Sequence, residues 1–486
     1  MDDHQLSLES RLLQLRDEIK ALEKSDQDPE SLKATLRKLC DERSRLEDEL
    51  INLVVSPENN ARAEARDGLR EGLLAAVQSL EETLRGTMRR KTDQQPAKQE
   101  GLLARAFSWV TQRSWASWAT CLLLVYLLLV AMSALGTGFE GLFGGPDRAK
   151  AFFETYAGNP FVGLVAGLLV TAIIQSSSVT TSVIVGLCVG GLPITVAIPM
   201  IMGANIGTSV TNTLVSLGHI GHRREFRRAF AAATIHDFFN ITAVCLFLPT
   251  EMAFHWLEKL SGLVSGVLYG SAGFNMDSIN FVAAATSPVE AWLHGLFMKI
   301  PGEMAANIVY VVFGLVAIFA AILLLGQLLR LLFTGRAERV FRTAVGKNPV
   351  AAIGSGFAIT ALVQSSSTTT SLIVPLAGAG LMKLKQAFPF TLGANIGTCV
   401  TALLAALAFT GNGAQFGLQI ALVHLLFNTC GVILIYGLPP LRRIPLVCAS
   451  SLAKLAADCR PMAIVYIVGV FFLLPIVCLC VYSWLR

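Results

Sequence analysis

The sequence predicts an all-α polytopic membrane protein. Two inverted-topology repeats, each with a re-entrant helical hairpin and a discontinuous helix, follow a cytoplasmic helical, coiled-coil-like segment. Three observations predict it. The 486 residues are 53% hydrophobic and only 15% charged, where soluble proteins carry roughly 25%. The charge is unevenly placed: residues 1–100 hold 22 acidic and 17 basic residues, more than half of all the Asp, Glu, Lys and Arg. The apolar remainder repeats its own polar motifs in the same order, 188 to 190 residues apart. This composition excludes a secreted, fibrous or purely cytosolic chain. The net charge of +5 lacks a basic tract interleaved with aromatics, so no nucleic-acid partner is expected. The ten cysteines stand singly, without a CxxC or Cys/His spacing; they read as buried structural thiols, and no transition metal or cofactor is expected.

In the front end, Leu8, Leu12, Leu15, Ile19 and Leu22 recur at 4-3-4-3 spacing. After Asp28-Pro29, Leu32, Leu36, Leu39, Leu46, Leu50 and Leu53 resume it, with Arg43 in the missing seam position. This is the a/d seam of a short coiled coil. Residues 61–90 then place Leu69, Leu73, Val77, Leu80 and Leu84 on one stripe. Residues 1–90 therefore read as a helical hairpin or small bundle, within a cytoplasmic coiled-coil-like region over 1–110. Two roles are open to it: self-association or tethering, which would make a homo-oligomer through these helices, and regulation as a sensor.

A helix that crosses a bilayer needs about 20 apolar residues. Seven runs qualify: 117–137, 192–216, 229–249, 304–333, 387–409, 416–437 and 462–484. Two more apolar stretches, 161–190 and 349–380, are interrupted at their centres by Gln-Ser-Ser-Ser. They read as re-entrant hairpins of two half-helices, because irregular backbone at membrane depth survives only where protein or a water cavity surrounds it. Positive charge sets the direction. Arg85, Arg89, Arg90, Lys91, Lys98, Arg105 and Arg113 precede the first span, which puts the N-terminus inside. Arg223, Arg224, Arg227 and Arg228 follow two crossings later, and further basic clusters follow at the same interval. The resulting order is repeat one over 115–250, an outer loop over 251–303, repeat two over 304–438, and an interfacial segment with a C-terminal span over 439–486. The chain is expected to be multi-pass in the plasma (inner) membrane, with the lipid bilayer as its solvent.

The repeat is explicit. GLLVTAIIQSSSVTTS (167–182) and GFAITALVQSSSTTTS (356–371) match at ten of sixteen positions, and GANIGTSVT (203–211) and GANIGTCVT (393–401) at eight of nine. His236-x-x-Phe239-Asn240 pairs with His424-x-x-Phe427-Asn428. By the charge count the two units are inverted. Inverted repeats with broken helices mark a secondary transporter with a midplane site.

The chemistry follows from the residue types. A half-helix that starts after Gln-Ser-Ser-Ser aims free N–H groups and its dipole at a cavity, which attracts an anion. The hydroxyls of Ser176, Ser177, Ser178, Ser365, Ser366 and Ser367 can donate to a tetrahedral oxyanion. The same segments offer hard oxygens for a small cation: Gln175, Gln364, Thr171, Thr360, Ser182 and Ser371. The two Gly-Ala-Asn-Ile-Gly-Thr blocks are expected to unwind, which adds Asn205, Asn395, Thr208 and Thr398 to the cation ligands; their glycines also fit plain helix packing. Asp237 is the only acidic residue well inside a predicted span. A buried carboxylate is costly unless paired or ion-bound, so it reads as a cation ligand or as the partner of an arginine such as Arg228. His236 and His424 read equally as ligands and as hydrogen-bonded structural residues.

These motifs resemble the type II sodium/phosphate cotransporter family, the animal renal and intestinal phosphate carriers and their bacterial relatives. The resemblance rests on QSSS at 175–178 and 364–367, GANIGTSVTNT at 203–213, GANIGT at 393–398 and EFRRAFAAATIHDFFN at 225–240, and covers about two-thirds of the chain. It implies sodium-driven uptake of inorganic phosphate as HPO4 2−, with the two QSSS segments forming the phosphate and sodium sites. Electrogenic members of the family carry Asp where Asp237 stands, which implies that more sodium charge than phosphate charge crosses per cycle. The family's animal members have a large glycosylated, disulfide-bonded outer loop; residues 250–303 contain no Cys and no N-x-S/T sequon, which points to a bacterial-type member. Two other readings remain at this stage: a sodium-coupled carrier of another oxyanion such as sulfate, and a transporter-like phosphate sensor. No segment carries an acid/base pair, a nucleophile triad or a P-loop, so an enzyme is not expected.

Overall fold

Every apolar run long enough to cross a bilayer forms a helix in the computed structural model, which describes residues 114–270, 280–344, 348–407, 409 and 413–485, with Arg11 alone before them. The coiled-coil expectation for 1–110 lies outside these residues. Among the described residues there is no strand. Seven helices are long and apolar enough to span: Trp115–Phe143, Ile194–His219, Arg223–Phe254, Glu303–Arg330, Leu384–Ala406, Ala414–Tyr436 and Pro461–Trp484. They coincide with the seven predicted runs.

Repeat one begins with α1 (Ser114–Phe143) and a short amphipathic α2 (Pro146–Ala157), whose Phe152 and Phe153 join Phe139 and Phe143 of α1 in an aromatic cluster. The first interrupted stretch is α3 (Pro160–Ile174) and α4 (Ser177–Val189). At 1.5 Å per residue these arms are about 22 and 20 Å long, short of the roughly 30 Å hydrocarbon core, so neither crosses alone. Next come α5 (Ile194–Gly207), α6 (Val210–Ser216) and α7 (Arg223–Phe254). The predicted outer loop is largely helical: α8 (Trp256–Gly270) and α9 (Asn280–Phe297). The corner into α8 turns on His255 at φ 51°. There the buried Glu251 carboxylate accepts the N–H groups of Leu257 (2.6 Å) and Glu258 (3.1 Å), capping donors that a helix start leaves open. Repeat two follows the same order with α10 (Glu303–Ala344), α11 (Pro349–Val363), α12 (Ser366–Ser371), α13 (Ile373–Gly378), α14 (Leu384–Ala406) and α15 (Ala414–Gly431). The chain ends in amphipathic α16 (Pro439–Asp458), α17 (Pro461–Val468) and α18 (Leu474–Leu485).

Packing obeys the duplication. α1 lies along α10, α3 along α5, and α11 along α14. The second hairpin arms cross over: α4 packs on α15 of the other repeat, and α13 on α7. The α3–α5 and α11–α14 pairs are backbone-on-backbone. A Cβ on Gly203 would collide with the Leu164 carbonyl, and one on Gly167 with that of Met200. In repeat two, Gly393 meets Ile353 O and Gly356 meets Phe390 O in the same way. This corrects the expectation of unwinding for the second Gly-Ala-Asn-Ile-Gly-Thr block: α14 runs helical through it. In the first, the glycines are helical and the break comes at the block's last residue, Thr208, with Ser209. The glycines are there to let helices touch, the main source of helix association where lipid supplies no hydrophobic drive.

The thiols divide differently from the expectation. Cys121, Cys188 and Cys399 are buried, while Cys245, Cys459, Cys478 and Cys480 are exposed; all are free.

Candidate functional site

Each Gln-Ser-Ser-Ser is a point where one helix stops and the next begins. Gln175 and Gln364 both adopt the left-handed conformation at φ 56°, uncommon for a residue with a Cβ. Their N–H groups close the preceding helices on the carbonyls of Thr171 and Thr360, at 2.7 Å each. The next residue is extended and caps the following helix: Ser176 Oγ accepts from Val179 N–H at 3.4 Å, and Ser365 Oγ from Thr368 N–H at 3.2 Å. The first serine of each triplet therefore holds the break. Ser177, Ser178 and Ser366 are buried and Ser367 half-buried, and among the described residues none of their hydroxyls has a hydrogen-bond partner. They are free to donate to a ligand. Both hairpins also start alike, with Asn159-Pro160 and Asn348-Pro349. Each asparagine caps its helix, on Phe161 N–H at 2.9 Å and Ala351 N–H at 2.7 Å. This duplicated N-cap with Pro at the first helical position was legible in the sequence.

The two tips are not in the same state. Gln364 is buried and its Oε1 accepts from Thr401 Oγ1 at 2.7 Å. Its repeat mate Gln175 is exposed, and the hydroxyl of Thr211, which occupies Thr401's place, is buried without a partner. The tip region of repeat two is also tied to repeat one, where Asn212 donates to Thr370 Oγ1 at 2.7 Å.

Asn205 and Asn395 lie in one polar network that joins the repeats. Asn395 Nδ2 donates to Asn240 Oδ1 (2.8 Å) and Asn428 Oδ1 (2.7 Å), and its Oδ1 lies 3.0 Å from His236 Nε2. Asn205 Oδ1 accepts from Asn428 at 3.3 Å and lies 3.4 Å from His424 Nε2, while its Nδ2 donates to the Ile201 carbonyl. All six side chains are at most 2% exposed. Buried amides engaged this way specify the packing of the four helices that carry them. Each histidine places Nε2 in this network, while its Nδ1 is buried and, among the described residues, has no hydrogen-bond partner. The side chains of Thr208 and Thr398 are turned back onto their own helices, on Ala204 O at 2.9 Å and Ala394 O at 3.1 Å, and Ser371 likewise onto Thr368 O. These hydroxyls donate their protons to their own helices, and their oxygen lone pairs stay open to a cation.

A second group is unoccupied. The hydroxyls of Thr171, Thr360 and Ser182 are buried with no partner. Thr171 and Thr360 sit in equivalent places, against Gly207 and Gly397. Asp237 is fully buried on α7. Its Oδ2 accepts from the hydroxyl of Tyr466 at 2.9 Å, and its Oδ1 has no hydrogen-bond partner. The alternative pairing with Arg228 is not observed: its guanidinium lies over Gly380. Tyr466 escapes any reading of the repeat, since it belongs to the C-terminal span and lies 229 residues from Asp237. Its ring is held between Phe238 and Phe471. Unpartnered buried oxygens are rare in folded proteins, and here they concentrate in the duplicated segments and beside Asp237.

The family described as Na+/Pi-cotransporter matches residues 127–268 and 317–444, more than half of the chain. Similar proteins include sodium-dependent phosphate transport protein 2B of Homo sapiens, 33% identical over 439 residues that cover 72% of this chain and 63% of the relative. Sodium-dependent phosphate transport protein 2A of Rattus norvegicus is 33% identical over 418 residues, 72% of this chain and 65% of the relative. That of Mus musculus is 34% identical over 424 residues with the same coverage. The chain thus spans a little under two-thirds of the length of these relatives. No solved structure matches it.

Proposed function

The chain belongs to the Na+/Pi-cotransporter family, and on that premise we propose that it is a sodium-coupled carrier that imports inorganic phosphate. The observation that carries the reading is the duplicated helix break, in which free serine hydroxyls stand at the start of a half-helix in each repeat. The printed names of the relatives, sodium-dependent phosphate transport proteins, support the same substrate and coupling ion.

In this reading Ser177, Ser178, Ser366 and Ser367 donate to the phosphate oxygens, while Ser176 and Ser365 hold the breaks open. Sodium takes oxygens that the fold leaves without partners: Asp237 Oδ1, Thr171, Thr360 and Ser182. Sodium binding at a buried carboxylate offsets the cost of keeping that charge out of water, which makes sodium the first substrate to bind. Phosphate then docks, and rocking of one repeat against the other exposes the site to the opposite face. With Asp237 ionised, net positive charge moves inward, and each elementary charge adds about 2.3 kcal/mol of drive per 100 mV. The free Gln175 and the latched Gln364 fit a conformation in which one hairpin tip is released and the other held. The distribution of Lys and Arg supports an inner-membrane protein with a cytoplasmic N-terminus; no enzymatic step is assigned to it.

The test is labelled phosphate uptake into proteoliposomes of the purified protein under an inward sodium gradient, with potassium or choline as control. Uptake that needs sodium and rises with inside-negative voltage is the expected result. Voltage-blind uptake removes the electrogenic part. Phosphate binding without flux makes the protein a sensor. Competition by sulfate or a small carboxylate stronger than by phosphate assigns another oxyanion.

A further inference from the structure

We propose that a cleft formed by the N-terminal end of α7, the turn before α14 and the middle of α16 binds the phosphate-bearing headgroup of an anionic phospholipid. The cleft encloses about 600 Å³. Arg224, Arg227 and Arg228 line it from one face of α7, and Lys383 lines it from the N-cap of α14. No acidic residue is in its lining. The neighbouring Arg223 is different, since it is paired with Asp458 outside the cleft, and Arg460 donates to the Gly221 carbonyl. Among the described residues, the four cleft cations make no ion pair with a carboxylate. Asp458 offsets part of the Arg227 charge from outside the cleft, but cations gathered around one concavity still repel each other, and an anion relieves that repulsion.

Shape and surroundings favour a lipid over a free ion. The volume is in the range of small-molecule sites and far exceeds what one phosphate ion fills. The rest of the wall is largely apolar, with Met382 and Ala453 among it. Next to its rim, α16 turns Ile444 and Val447 outward, and Leu381 projects from the α13–α14 turn. A headgroup in the cleft would lay its acyl chains along these exposed side chains. The arginines also belong to one of the basic clusters that mark a single face of the membrane in the charge count, and basic pockets between spanning helices on that face suit acidic headgroups. Arg228 lies nine residues, about 14 Å of helix, from Asp237, so the cleft is separate from the transport residues.

The experiment uses the full chain purified in mild detergent. Retained lipid is read by native mass spectrometry after titration with phosphatidylglycerol, cardiolipin or phosphatidylcholine. A parallel titration uses inorganic phosphate and water-soluble glycerophosphate. The variants are R224Q/R227Q/R228Q, K383Q and, as a control of the same charge class outside the cleft, R442Q/R443Q. The replaced cleft side chains are exposed, Arg442 of the control is half-buried over the Tyr436 ring, and glutamine is a good helix former; gel filtration confirms that each variant is folded. Wild type is expected to retain anionic lipid over phosphatidylcholine. Near-surface Lys and Arg contribute about fivefold each to acidic-lipid binding, so the triple variant loses about a hundredfold and K383Q about fivefold, with the control unchanged. Equal losses in the control would overturn the proposal in favour of diffuse surface charge. Inorganic phosphate bound as well as the lipid, and lost in the same variants, would overturn the lipid source and leave a free-phosphate site.

Discussion

Gly356 and Gly354 lie two residues apart on α11, and replacing each with alanine should have opposite effects. A Cβ at Gly354 meets nothing within 4 Å. There, alanine restricts the unfolded chain and favours the helix, a gain of roughly 0.5–1 kcal/mol. A Cβ at Gly356 would fall on the carbonyl of Phe390 and lie 3.0 Å from the Ala394 nitrogen. Both neighbours are backbone, so neither can turn aside, and α11 and α14 would have to part by about an ångström along their contact. Overpacking of this kind costs roughly 1–3 kcal/mol or more. The helix-propensity gain is common to both variants and cancels between them, so G356A should be less stable than G354A by the overpacking cost, about 1–3 kcal/mol. Separation of helices in lipid recovers no hydrophobic term, so relaxation does not cancel the loss. Thermal unfolding of the purified variants, followed by gel filtration after heating, gives the order: G354A at or above wild type, G356A below. G393A strikes the same interface from the other helix, through the Ile353 carbonyl. The G356A/G393A pair should therefore cost less than the sum of the single changes, because helices already parted accept the second methyl. A G356A protein as stable as G354A would refute the backbone-contact account of the glycines.

Three further outcomes follow from the site. Ser365→Ala removes an N-cap and should lower stability by about 0.5–2 kcal/mol; Ser366→Ala, whose hydroxyl has no protein partner, should leave the melting temperature in place while raising the phosphate concentration for half-maximal uptake. Equal melting shifts in the two variants would contradict the division of roles within the triplet. Asp237→Gly should reduce the charge moved per phosphate in a reconstituted current assay, and an unchanged ratio would remove Asp237 from the coupling. Tyr466→Phe keeps the ring between Phe238 and Phe471 and deletes only the donor to Asp237. With the carboxylate left without that hydrogen bond, stability without sodium should drop by about 1.5–3 kcal/mol, and saturating sodium should restore part of it. A variant whose melting point rises with sodium by the same amount as wild type would separate Tyr466 from an ion site.

The sequence by itself determined what depends on near neighbours and on period. Length and apolarity set the seven spans, and all seven are helices. The helix breaks at Gln-Ser-Ser-Ser were legible because the cap chemistry is local: a serine three residues before the N–H it accepts, after a residue that can turn left-handed. Duplication made the correspondence of Gly167 with Gly356 and Gly203 with Gly393 readable, though not its purpose. Only the tertiary structure decided between unwinding and close packing there, since a glycine serves either, and the presence of another backbone against its Cα is what selects. The same holds for Asp237. Its burial followed from its place in a span, but its partner is a tyrosine outside the repeats, fixed by how α17 docks on α7. Symmetry of sequence also left open that the repeats would sit in unlike environments. Gln364 has Thr401 within reach and Gln175 has no such bond to Thr211, a difference that arises from the arrangement of helices around two nearly identical segments.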